Sequence, residues 1–504
     1  MAETGAGVAG LKRLNDLGLN AREGRNPELS GITADSRAVR PGMLFAALPG
    51  SLRHGADFIA TAVEQGAAAI LTDPMGAVIG AEAIGLNDVA LVVVKDPREA
   101  LAYAAALWFG AQPETMVAVT GTNGKTSVAT FTRQIWTALG HAAINIGTTG
   151  VEGAWSAPSS HTTPDPMTLH RMLSDAAGAG VTHAAMEASS HGLDQRRLEG
   201  VRLKAAGFTN LTQDHLDYHH TMEAYFEAKA GLFTRLLPDE AVAVVNLDGA
   251  HGSEIAELAL ETGFELLCVG KGQGADLQIA ATRPDATGQE VRFIWHGDPN
   301  APQVFQTRLN LIGAFQAENV ALAAGLAIGA GASPRAVLSC LPQLTGVRGR
   351  MELAATRQNG AAVFVDYAHT PDALETALRA LRPHVMGRII VVFGAGGDRD
   401  TTKRPLMGAA ARDNADVLFV TDDNPRSEEP AAIRAAILAA CPEATEVGDR
   451  AEAILRAVDA LQPGDALLIA GKGHESGQTI QGNVFPFDDV EQASIAVAAL
   501  DGLI

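Results

Sequence analysis

Residues 116–127, MVAVTGTNGKTS, decide the fold. A short β-branched apolar run passes into a Gly-rich turn, and a helical pattern begins at about Lys125. This order of strand, turn and helix predicts a phosphate-binding loop. Gly121 and Gly124 allow backbone N–H groups to close around phosphate oxygens, and the helix start adds its positive dipole end. The usual G-x-x-x-x-G-K-[ST] pattern has Gly where this chain has Val119, so the loop is a variant.

The polar residues of this loop predict its ligand. The ammonium group of Lys125 is expected to reach the β- and γ-phosphates of a nucleotide. A hydroxyl group from Thr126 or Ser127 can ligate Mg²⁺. A purely structural Gly turn is the alternative, and the flanking strand and helix favour nucleotide binding over it.

Composition limits the class of protein. The 504 residues predict roughly three domains of about 150 residues each. The net charge of −20 argues against sequence-independent binding to nucleic acid or to an anionic membrane. The three cysteines lie far apart without CxxC spacing, which favours a reducing cytoplasm and small buried side chains. Residues 1–16 lack a signal-peptide pattern, and no apolar run approaches about 18 residues. We therefore expect a soluble cytoplasmic protein. Separately, we expect it to be a monomer.

The pattern along the chain predicts an α/β protein with domains at residues 1–110, 111–343 and 344–504. Short apolar runs alternate with helical patterns in all three segments. The GAQPE stretch at 110–114 is typical of a linker between domains. The pattern of apolar and polar residues changes again at 344–350, which indicates a second boundary. The polar, β-rich segment 276–307 predicts an excursion of the central sheet. The last segment has a doubly wound pattern, in which ligands gather at the C-terminal ends of the strands.

Polar residues follow two of the predicted central strands. Glu187 begins EASSHGLDQRR, and a carboxylate at a strand end near a phosphate loop is well placed to hold Mg²⁺. The alternative is a helix N-cap formed by Ser189 or Ser190. His215 lies with two other histidines in TNLTQDHLDYHH, but neither a thiol partner nor HExxH spacing supports zinc there. Lys229 stands alone in a helical stretch, which by itself indicates a solvated lysine.

Four charged loops follow four strands of the C-terminal segment. They contain DYAHTPD, GAGGDRDTTKR, DDNPRSEEP and GKGHE. Each loop alone could be an Asx turn or a helix cap. Because the strands are predicted to be parallel, we expect the four loops to line one pocket, which suits an anionic group.

The motifs VTGTNGKTS, EASSHGLDQRR, DHLDYH, AENVALA, GRME, DYAHTPDAL, FGAGGDRD, DNPR and GKGHE occur in the order seen in the Mur ligases of peptidoglycan precursor synthesis. The chain resembles this family from about Ala34 to Glu475. The resemblance implies an N-terminal domain for a uridine nucleotide, a central P-loop ATPase domain and a C-terminal Rossmann-like domain for the incoming amino acid. It implies an ATP-dependent, amide-bond-forming ligase that works through an acyl phosphate in cell-wall biogenesis, and so in cell shape and division.

The resemblance also implies roles for individual residues. ATP is expected at Gly121, Thr122, Asn123, Gly124, Lys125, Thr126, Ser127, Asn319, Arg350, Asp366 and His369. Catalysis is expected from Lys125, Glu187, His215 and Lys229. Mg²⁺ is expected at Ser127, Glu187, His215 and Lys229, the last carrying a carbamate formed with CO₂. The substrate UDP-N-acetylmuramoyl-L-alanyl-D-glutamate is expected at Asp35, Ser36, Thr162, Thr163, Ser189, Gln195 and Arg197.

Within the family, DNPR marks members that add meso-diaminopimelate rather than L-lysine. The residues implied for this amine are Arg399, Asp423, Asn424, Pro425, Arg426, Gly471 and Glu475. Diaminopimelate carries a second ammonium carboxylate centre, to which the guanidinium of Arg426 can bind bidentately. The alternatives are a lysine-adding or folylpolyglutamate synthetase-like ligase, and a nucleotide-dependent switch that would leave the charged C-terminal loops unexplained.

Overall fold

A computed structural model describes residues 11–50, 53–159, 161–285, 287–297 and 301–503. Residues 1–10, which carry much of the expectation about targeting sequences, lie outside the described residues. Three α/β units with separate sheets follow one another along the chain, which confirms the predicted fold class. Among the described residues, none of the helices combines the length and the apolar character that crossing a bilayer requires.

The N-terminal unit is built on a parallel four-stranded sheet of order β3-β4-β5-β6. Its strands bury apolar side chains on both faces, which gives two separate cores. The predicted helix Pro97–Phe109 is confirmed: the Asp96 side chain caps its first turn, and Gly110, with φ +76°, ends it. The elements are β1 (Lys12–Arg13), β2 (Glu28–Leu29), β3 (Gly31–Thr33), β4 (Met43–Ala46), α1 (Ile59–Glu64), β5 (Ala69–Thr72), α2 (Pro74–Ile79), α3 (Ala81–Gly85), β6 (Ala90–Val93) and α4 (Pro97–Phe109).

The central unit has a ten-stranded sheet of order β16-β15-β14-β13-β12-β11-β7-β10-β8-β9. Its elements are β7 (Thr115–Thr120), α5 (Lys125–Ala138), β8 (Ala143–Gly147), β9 (Gly150–Gly153), α6 (Pro166–Gly178), β10 (His183–Glu187), α7 (Ser190–Asp194), β11 (Leu203–Phe208), α8 (Leu216–His219), α9 (Met222–Gly231), β12 (Val242–Asn246), α10 (Gly252–Thr262), β13 (Glu265–Gly270), β14 (Leu277–Asp285), β15 (Gly288–Trp295), β16 (Gln303–Leu309), α11 (Phe315–Gly329) and α12 (Pro334–Cys340). β14, β15 and β16 form the predicted sheet excursion as an antiparallel meander. α11 is apolar on almost all sides and is accordingly buried against α5 and the sheet.

The C-terminal unit has a six-stranded sheet of order β17-β18-β22-β19-β20-β21. Apart from the antiparallel β17, its strands are parallel, and apolar cores cover both faces, as in a doubly wound fold. The C-terminal ends of β18, β19, β20 and β22 therefore meet at one edge. The elements are β17 (Glu352–Thr356), β18 (Ala362–Asp366), α13 (Pro371–Leu381), β19 (Ile389–Phe393), α14 (Lys403–Asn414), β20 (Val417–Val420), α15 (Pro430–Leu438), β21 (Thr445–Glu446), α16 (Arg450–Asp459), β22 (Ala466–Ala470), β23 (Gly477–Ile480), β24 (Asn483–Pro486) and α17 (Asp489–Leu500).

Candidate active site

The phosphate-type loop connects β7 to α5, and α5 begins at Lys125 as predicted. Gly121 and Gly124 have φ values of +142° and +88°, which side-chain-bearing residues rarely adopt. A Cβ atom at Gly121 would collide with the Thr209 hydroxyl, and one at Gly124 would lie 2.6 Å from Oδ1 of Asn319. Both glycines are therefore required by φ and by close approach. Backbone N–H groups at the start of α5 remain available to an anion.

A cleft of about 500 Å³ lies between the central and C-terminal units. Arg350 Nη2 donates to Thr126 Oγ1 at 3.4 Å, and Asn123 Nδ2 donates to Asp372 Oδ2 at 3.4 Å, so both units contribute to its walls. Ten of the eleven residues predicted for ATP line this cleft: Thr122, Asn123, Gly124, Lys125, Thr126, Ser127, Asn319, Arg350, Asp366 and His369. The fold thus brings together residues that are more than two hundred positions apart in the sequence.

Two lysines converge on the carbonyl of Gly121. Lys125 Nζ donates to this oxygen at 2.9 Å, and Lys229 Nζ donates to it at 2.7 Å. Lys229 is only 1% exposed, and its Nζ lies 4.5 Å from the centroid of the Tyr225 ring. The interpretation of Lys229 as a solvated side chain is therefore wrong: α9 packs against the loop and directs this lysine inward. Burial, followed by the neighbouring charge of Lys125, lowers the pKa of Lys229 well below its ordinary value.

Glu187 ends β10 beside the loop and is buried. Its Oε2 accepts from Thr126 Oγ1 at 3.1 Å, and its Oε1 accepts from the Thr148 backbone N–H at 2.8 Å. Ser189 caps α7 by accepting from the Gly192 N–H at 3.1 Å, as the alternative interpretation expected. The two interpretations are compatible, because the cap uses Ser189 and leaves the Glu187 carboxylate directed at the loop.

The donors around Glu187 fit Mg²⁺. The described residues contain no cluster of three or more His, Cys, Asp and Glu side chains spaced to hold a metal ion. Mg²⁺ does not need such a cage, because it is usually held by one or two carboxylates, several waters and the phosphates of the substrate. Glu187 with the hydroxyl groups of Thr126 and Ser127 on the wall of the cleft is a set of this kind.

His215 precedes α8 in the left-handed conformation, with φ +52°, and lines the 500 Å³ cleft. Its ring lies 4.9 Å from the His191 ring and 6.2 Å from the Tyr225 ring, measured between centroids. Burial is the main cause of a lowered pKa for His215. The ring is therefore mainly neutral at neutral pH, the form in which a histidine accepts a hydrogen bond or ligates a metal.

A larger cleft of about 2050 Å³ separates the N-terminal and central units. It is lined by Asp35, Ser36, Gln195 and Arg197 from the predicted substrate set. The remaining members lie elsewhere: Thr162 and Ser189 line the 500 Å³ cleft, whereas Thr163 is buried.

Thr163 joins the walls of the two clefts. Its hydroxyl group donates to the Glu187 carbonyl at 2.9 Å, and its own carbonyl accepts from Arg197 Nη1 at 2.6 Å. The backbone N–H of Ser189 also donates to its hydroxyl oxygen, at 3.0 Å. Thr163 therefore contacts residues that line each of the two clefts.

The four charged loops of the C-terminal unit contact one another at the predicted edge. Lys403 Nζ donates to the His369 carbonyl at 2.8 Å, and Arg426 Nη1 donates to the Gly397 carbonyl at 2.6 Å. Asn424 Nδ2 donates to Glu475 Oε2 at 2.9 Å. The four loops therefore lie together at one edge of the sheet, where Arg399 is exposed at the tip of the loop after β19. Of the four, the loop after β18 lines the 500 Å³ cleft, and the expectation that all four line one pocket stays a prediction.

Sequence reasoning missed the hairpin β23–β24, which packs on the DNPR loop. The Thr479 N–H donates to Asn424 Oδ1 at 2.9 Å, and Gln478 Nε2 donates to the Asp423 carbonyl at 2.7 Å. Arg426, at φ +53°, donates its N–H to the Thr479 carbonyl at 3.0 Å. The stretch GQTIQGNVFP, two short β-type runs around a Gln-Gly turn, was the signal that could have predicted it.

Comparison with known proteins agrees with this geometry. Three family models match in order: "Mur ligase family, catalytic domain" at 28–108, "Mur ligase middle domain" at 119–327 and "Mur ligase, glutamate ligase domain" at 349–473. A Caulobacter vibrioides protein named UDP-N-acetylmuramoyl-L-alanyl-D-glutamate--2,6-diaminopimelate ligase is 50% identical over 497 residues, which cover 97% of this chain and 99% of the relative. The chain belongs to the Mur ligase family.

Two further Mur ligases extend the comparison. A Chelativorans protein with the same name is 51% identical, covering 93% of this chain and 95% of the relative. A solved structure of a ligase of that name is 35% identical, with a TM-score of 0.68, covering 94% of this chain and 95% of the other. The resemblance found in the motifs is thereby confirmed along nearly the whole chain, and so is the three-unit Mur ligase architecture.

Proposed function

We propose that this Mur ligase joins meso-diaminopimelate to UDP-N-acetylmuramoyl-L-alanyl-D-glutamate and converts ATP to ADP and inorganic phosphate in the process. The observation that carries the proposal is the cleft lined by the phosphate-type loop, Arg350 and the loop after β18, to which the other three charged loops are joined by hydrogen bonds. Ligases named for UDP-N-acetylmuramoyl-L-alanyl-D-glutamate and 2,6-diaminopimelate are about 50% identical over nearly all of this chain. The similarity to these ligases also supports a role for this protein in peptidoglycan precursor synthesis.

The large N-terminal cleft suits the uridine diphosphate substrate. Its walls contain five arginines and three aspartates, although the protein as a whole has a net charge of −20. The arginines are Arg37, Arg53, Arg98, Arg171 and Arg197. A local excess of guanidinium groups in an acidic protein favours a ligand that carries phosphates and carboxylates. Aromatic side chains of the same cleft, including Phe58 and Trp155, offer apolar area to the uracil or sugar.

The mechanism follows from the chemistry of a carboxylate, which is a poor acyl donor. The γ-carboxylate oxygen of the D-glutamyl residue attacks the γ-phosphorus of ATP, the bond to ADP breaks, and an acyl phosphate results. The amine of diaminopimelate then attacks the acyl carbon, inorganic phosphate leaves, and the amine loses a proton. Lys125 and the backbone N–H groups of the loop offset negative charge on the transferring phosphoryl group. Arg350 holds the C-terminal unit to the loop, which brings the amine to the activated carboxylate.

Mg²⁺ would be held by Glu187, Ser127 and His215, with Lys229 as a carbamate. The metal supplies Lewis-acid stabilisation of the phosphate oxygens when it is bound. Carbamate formation requires an uncharged amine, and the lowered pKa of Lys229 favours that form. Carbamylation converts this amine into an anionic group with two oxygen atoms that can ligate a metal.

We propose further that the enzyme acts in the cytoplasm as a monomer, with domains at 1–110, 111–343 and 344–504. All three cysteines are free and buried, which agrees with a reducing compartment. The proposed boundaries fall just after α4 and between α12 and β17, where no strand of one sheet continues into the next.

The proposed function predicts that phosphate release depends on both acceptor and amine. ATP turnover is expected to be near background with ATP alone, and to rise only when the muramyl dipeptide nucleotide and meso-diaminopimelate are both present. Steady-state phosphate release, with L-lysine and L-glutamate as competing amines, provides the measurement. Turnover of ATP irrespective of both substrates would identify a nucleotide switch, and a preference for L-lysine would identify a lysine-adding ligase.

Arg426→Ala is expected to raise the KM for meso-diaminopimelate by about tenfold to a hundredfold with little change in kcat. The reason is the loss of a charge-assisted contact with the distal carboxylate, which contributes about 1.5–3 kcal/mol. L-Lysine has no such carboxylate, so its weak reaction should change less. Arg412→Ala removes an exposed arginine of the same unit and provides the matched control. Unchanged kinetics for diaminopimelate in the Arg426 variant would show that the pocket is assigned wrongly.

A further inference from the structure

We propose that the buried ion pair between Arg450 and Asp489 positions the two loops that bind the incoming amine. Neither residue belongs to the site described above, and the proposal rests on the proposed function because it concerns the same amino-acid pocket. Arg450 is the first residue of α16 and Asp489 the first of α17. Both side chains are completely buried. Charged pairs are rarely buried to this extent unless every polar group is satisfied.

The geometry of the pair is bidentate. Arg450 Nε donates to Asp489 Oδ1 at 2.8 Å, and Nη2 donates to Asp489 Oδ2 at 2.6 Å. The guanidinium also extends beyond its partner, because Nη2 donates to the Ala470 carbonyl at 3.0 Å and Nη1 donates to the Asp422 carbonyl at 3.5 Å. The planar donor fork of arginine is suited to holding a carboxylate and carbonyl groups at the same time.

The two carbonyl groups belong to the peptides that open the amine-binding loops. Ala470 is the last residue of β22, and the next residue is Gly471. Asp422 immediately precedes Asp423 of the DNPR motif. Strands β20 and β22 do not pair with each other, because β19 lies between them in the sheet. Arg450 therefore ties together two loop origins that the hydrogen-bond ladder of the sheet leaves independent.

The side chain most directly affected is Asp423. It is 7% exposed, and among the described residues its Oδ2 is a buried atom without a hydrogen-bond partner. A Cβ atom at Gly471 would lie 2.5 Å from that same oxygen and 3.9 Å from Arg450 Nη2, so the three groups adjoin one another. An unpaired carboxylate oxygen held at this place is an acceptor for an ammonium group, and its position depends on both loop origins. Arg450 is thus a positioning residue, which acts through Asp423 and Gly471.

The same pair of helices supplies a matched control. Arg357 Nε donates to Asp501 Oδ1 at 2.8 Å, and Arg357 Nη1 donates to the Val458 carbonyl near the end of α16. This second arginine–aspartate pair is also largely buried: Arg357 directly follows β17, Asp501 directly follows α17, and the pair contacts α16 near its C-terminal end. It stabilises the same helices at the end away from the amine-binding loops.

The test compares Arg450→Met/Asp489→Leu with Arg357→Met/Asp501→Leu in the full chain. Replacing both members of a buried pair by apolar residues removes the carbonyl contacts without leaving an unpaired charge. The first variant is expected to raise the KM for meso-diaminopimelate by about tenfold or more, a typical effect of losing a supporting contact. The KM values for ATP and for the muramyl dipeptide nucleotide should stay within about twofold, and the control variant should retain the wild-type KM for the amine.

Each outcome decides the inference. An unchanged KM for meso-diaminopimelate, or an equal rise in the control variant, would overturn it, because a merely structural role affects all substrates alike. If the double variant does not fold, Arg450→Lys replaces it: a single ammonium cannot reach Asp489 and both carbonyls, so the KM for the amine must still rise, and a wild-type value would overturn the proposal. Wild-type enzyme that shows no dependence on diaminopimelate would instead contradict the proposed function, so the two failures are distinguishable.

Discussion

Lys125→Ala is expected to lower kcat for phosphate release by about 10³-fold while the protein remains folded. The Lys125 ammonium lies at the phosphate-type loop, where it donates to the carbonyls of Gly121 and Thr122 at 2.9 Å. Both contacts are with the loop itself, so the side chain is free to exchange them for phosphate oxygens. Its charge is most valuable where negative charge accumulates during phosphoryl transfer, so its loss should lower kcat more than it raises the KM for ATP.

Two further variants separate charge from geometry at this position. Lys125→Arg keeps the positive charge but replaces a compact ammonium by a planar fork, so most of the activity should still be lost. Lys204→Ala removes an exposed lysine of β11 and should behave as the wild type. The measurement is steady-state phosphate release over a range of ATP concentrations, with thermal unfolding to confirm folding. A variant with a raised KM for ATP and an unchanged kcat would show that Lys125 only binds the nucleotide.

Lys229→Ala is expected to lower kcat by about 10²-fold or more. Lys229 is buried beside the loop, and its Nζ lies 2.7 Å from the Gly121 carbonyl. Burial first, and the charge of Lys125 second, lower its pKa, so a larger share of the amine is neutral at neutral pH. The neutral amine is the form that reacts with CO₂. We therefore expect the wild-type enzyme to lose activity in CO₂-free buffer and to regain it with bicarbonate.

The variants of Lys229 test the modification separately from the packing. Lys229→Met fills the same space without an amine and should be inactive at any bicarbonate concentration. Isotopically labelled bicarbonate should give a carbamate signal in NMR spectra of the wild type that is absent from the Met variant. Full activity of wild-type enzyme after exhaustive removal of CO₂, with no such signal, would contradict the role proposed for Lys229.

Much of the fold could be predicted from local patterns in the sequence. The helix of 97–109 was predicted at its observed bounds because Asp96, Pro97 and Gly110 are residues that begin and end helices. The parallel strands of the C-terminal unit were recognisable because strands covered on both faces, such as 389–393 and 466–470, become continuous apolar runs. The hairpin 477–486 was missed, since it is exposed and short, and such strands carry a weak hydrophobic pattern.

The burial of Lys229 and Arg450 could not be predicted from local sequence patterns. Each is a charged residue in a helical stretch, and local pattern assigns such residues to solvent. Their burial depends on which element packs against the helix, and that is a property of the whole fold. The motif resemblance corrected the prediction for Lys229, whereas no pattern along the chain pointed to the partners of Arg450.

By itself, the sequence determined the three-unit α/β architecture, the phosphate-type loop and the family, because periodicity, glycine positions and motif order are local properties of a chain. Only the tertiary structure decided that Lys229 and Lys125 share one carbonyl, that Thr163 contacts residues of two clefts, and that Arg450 ties the origins of two loops. These contacts join residues that are distant in the sequence, and the packing of sheets and helices alone brings them within hydrogen-bond distance.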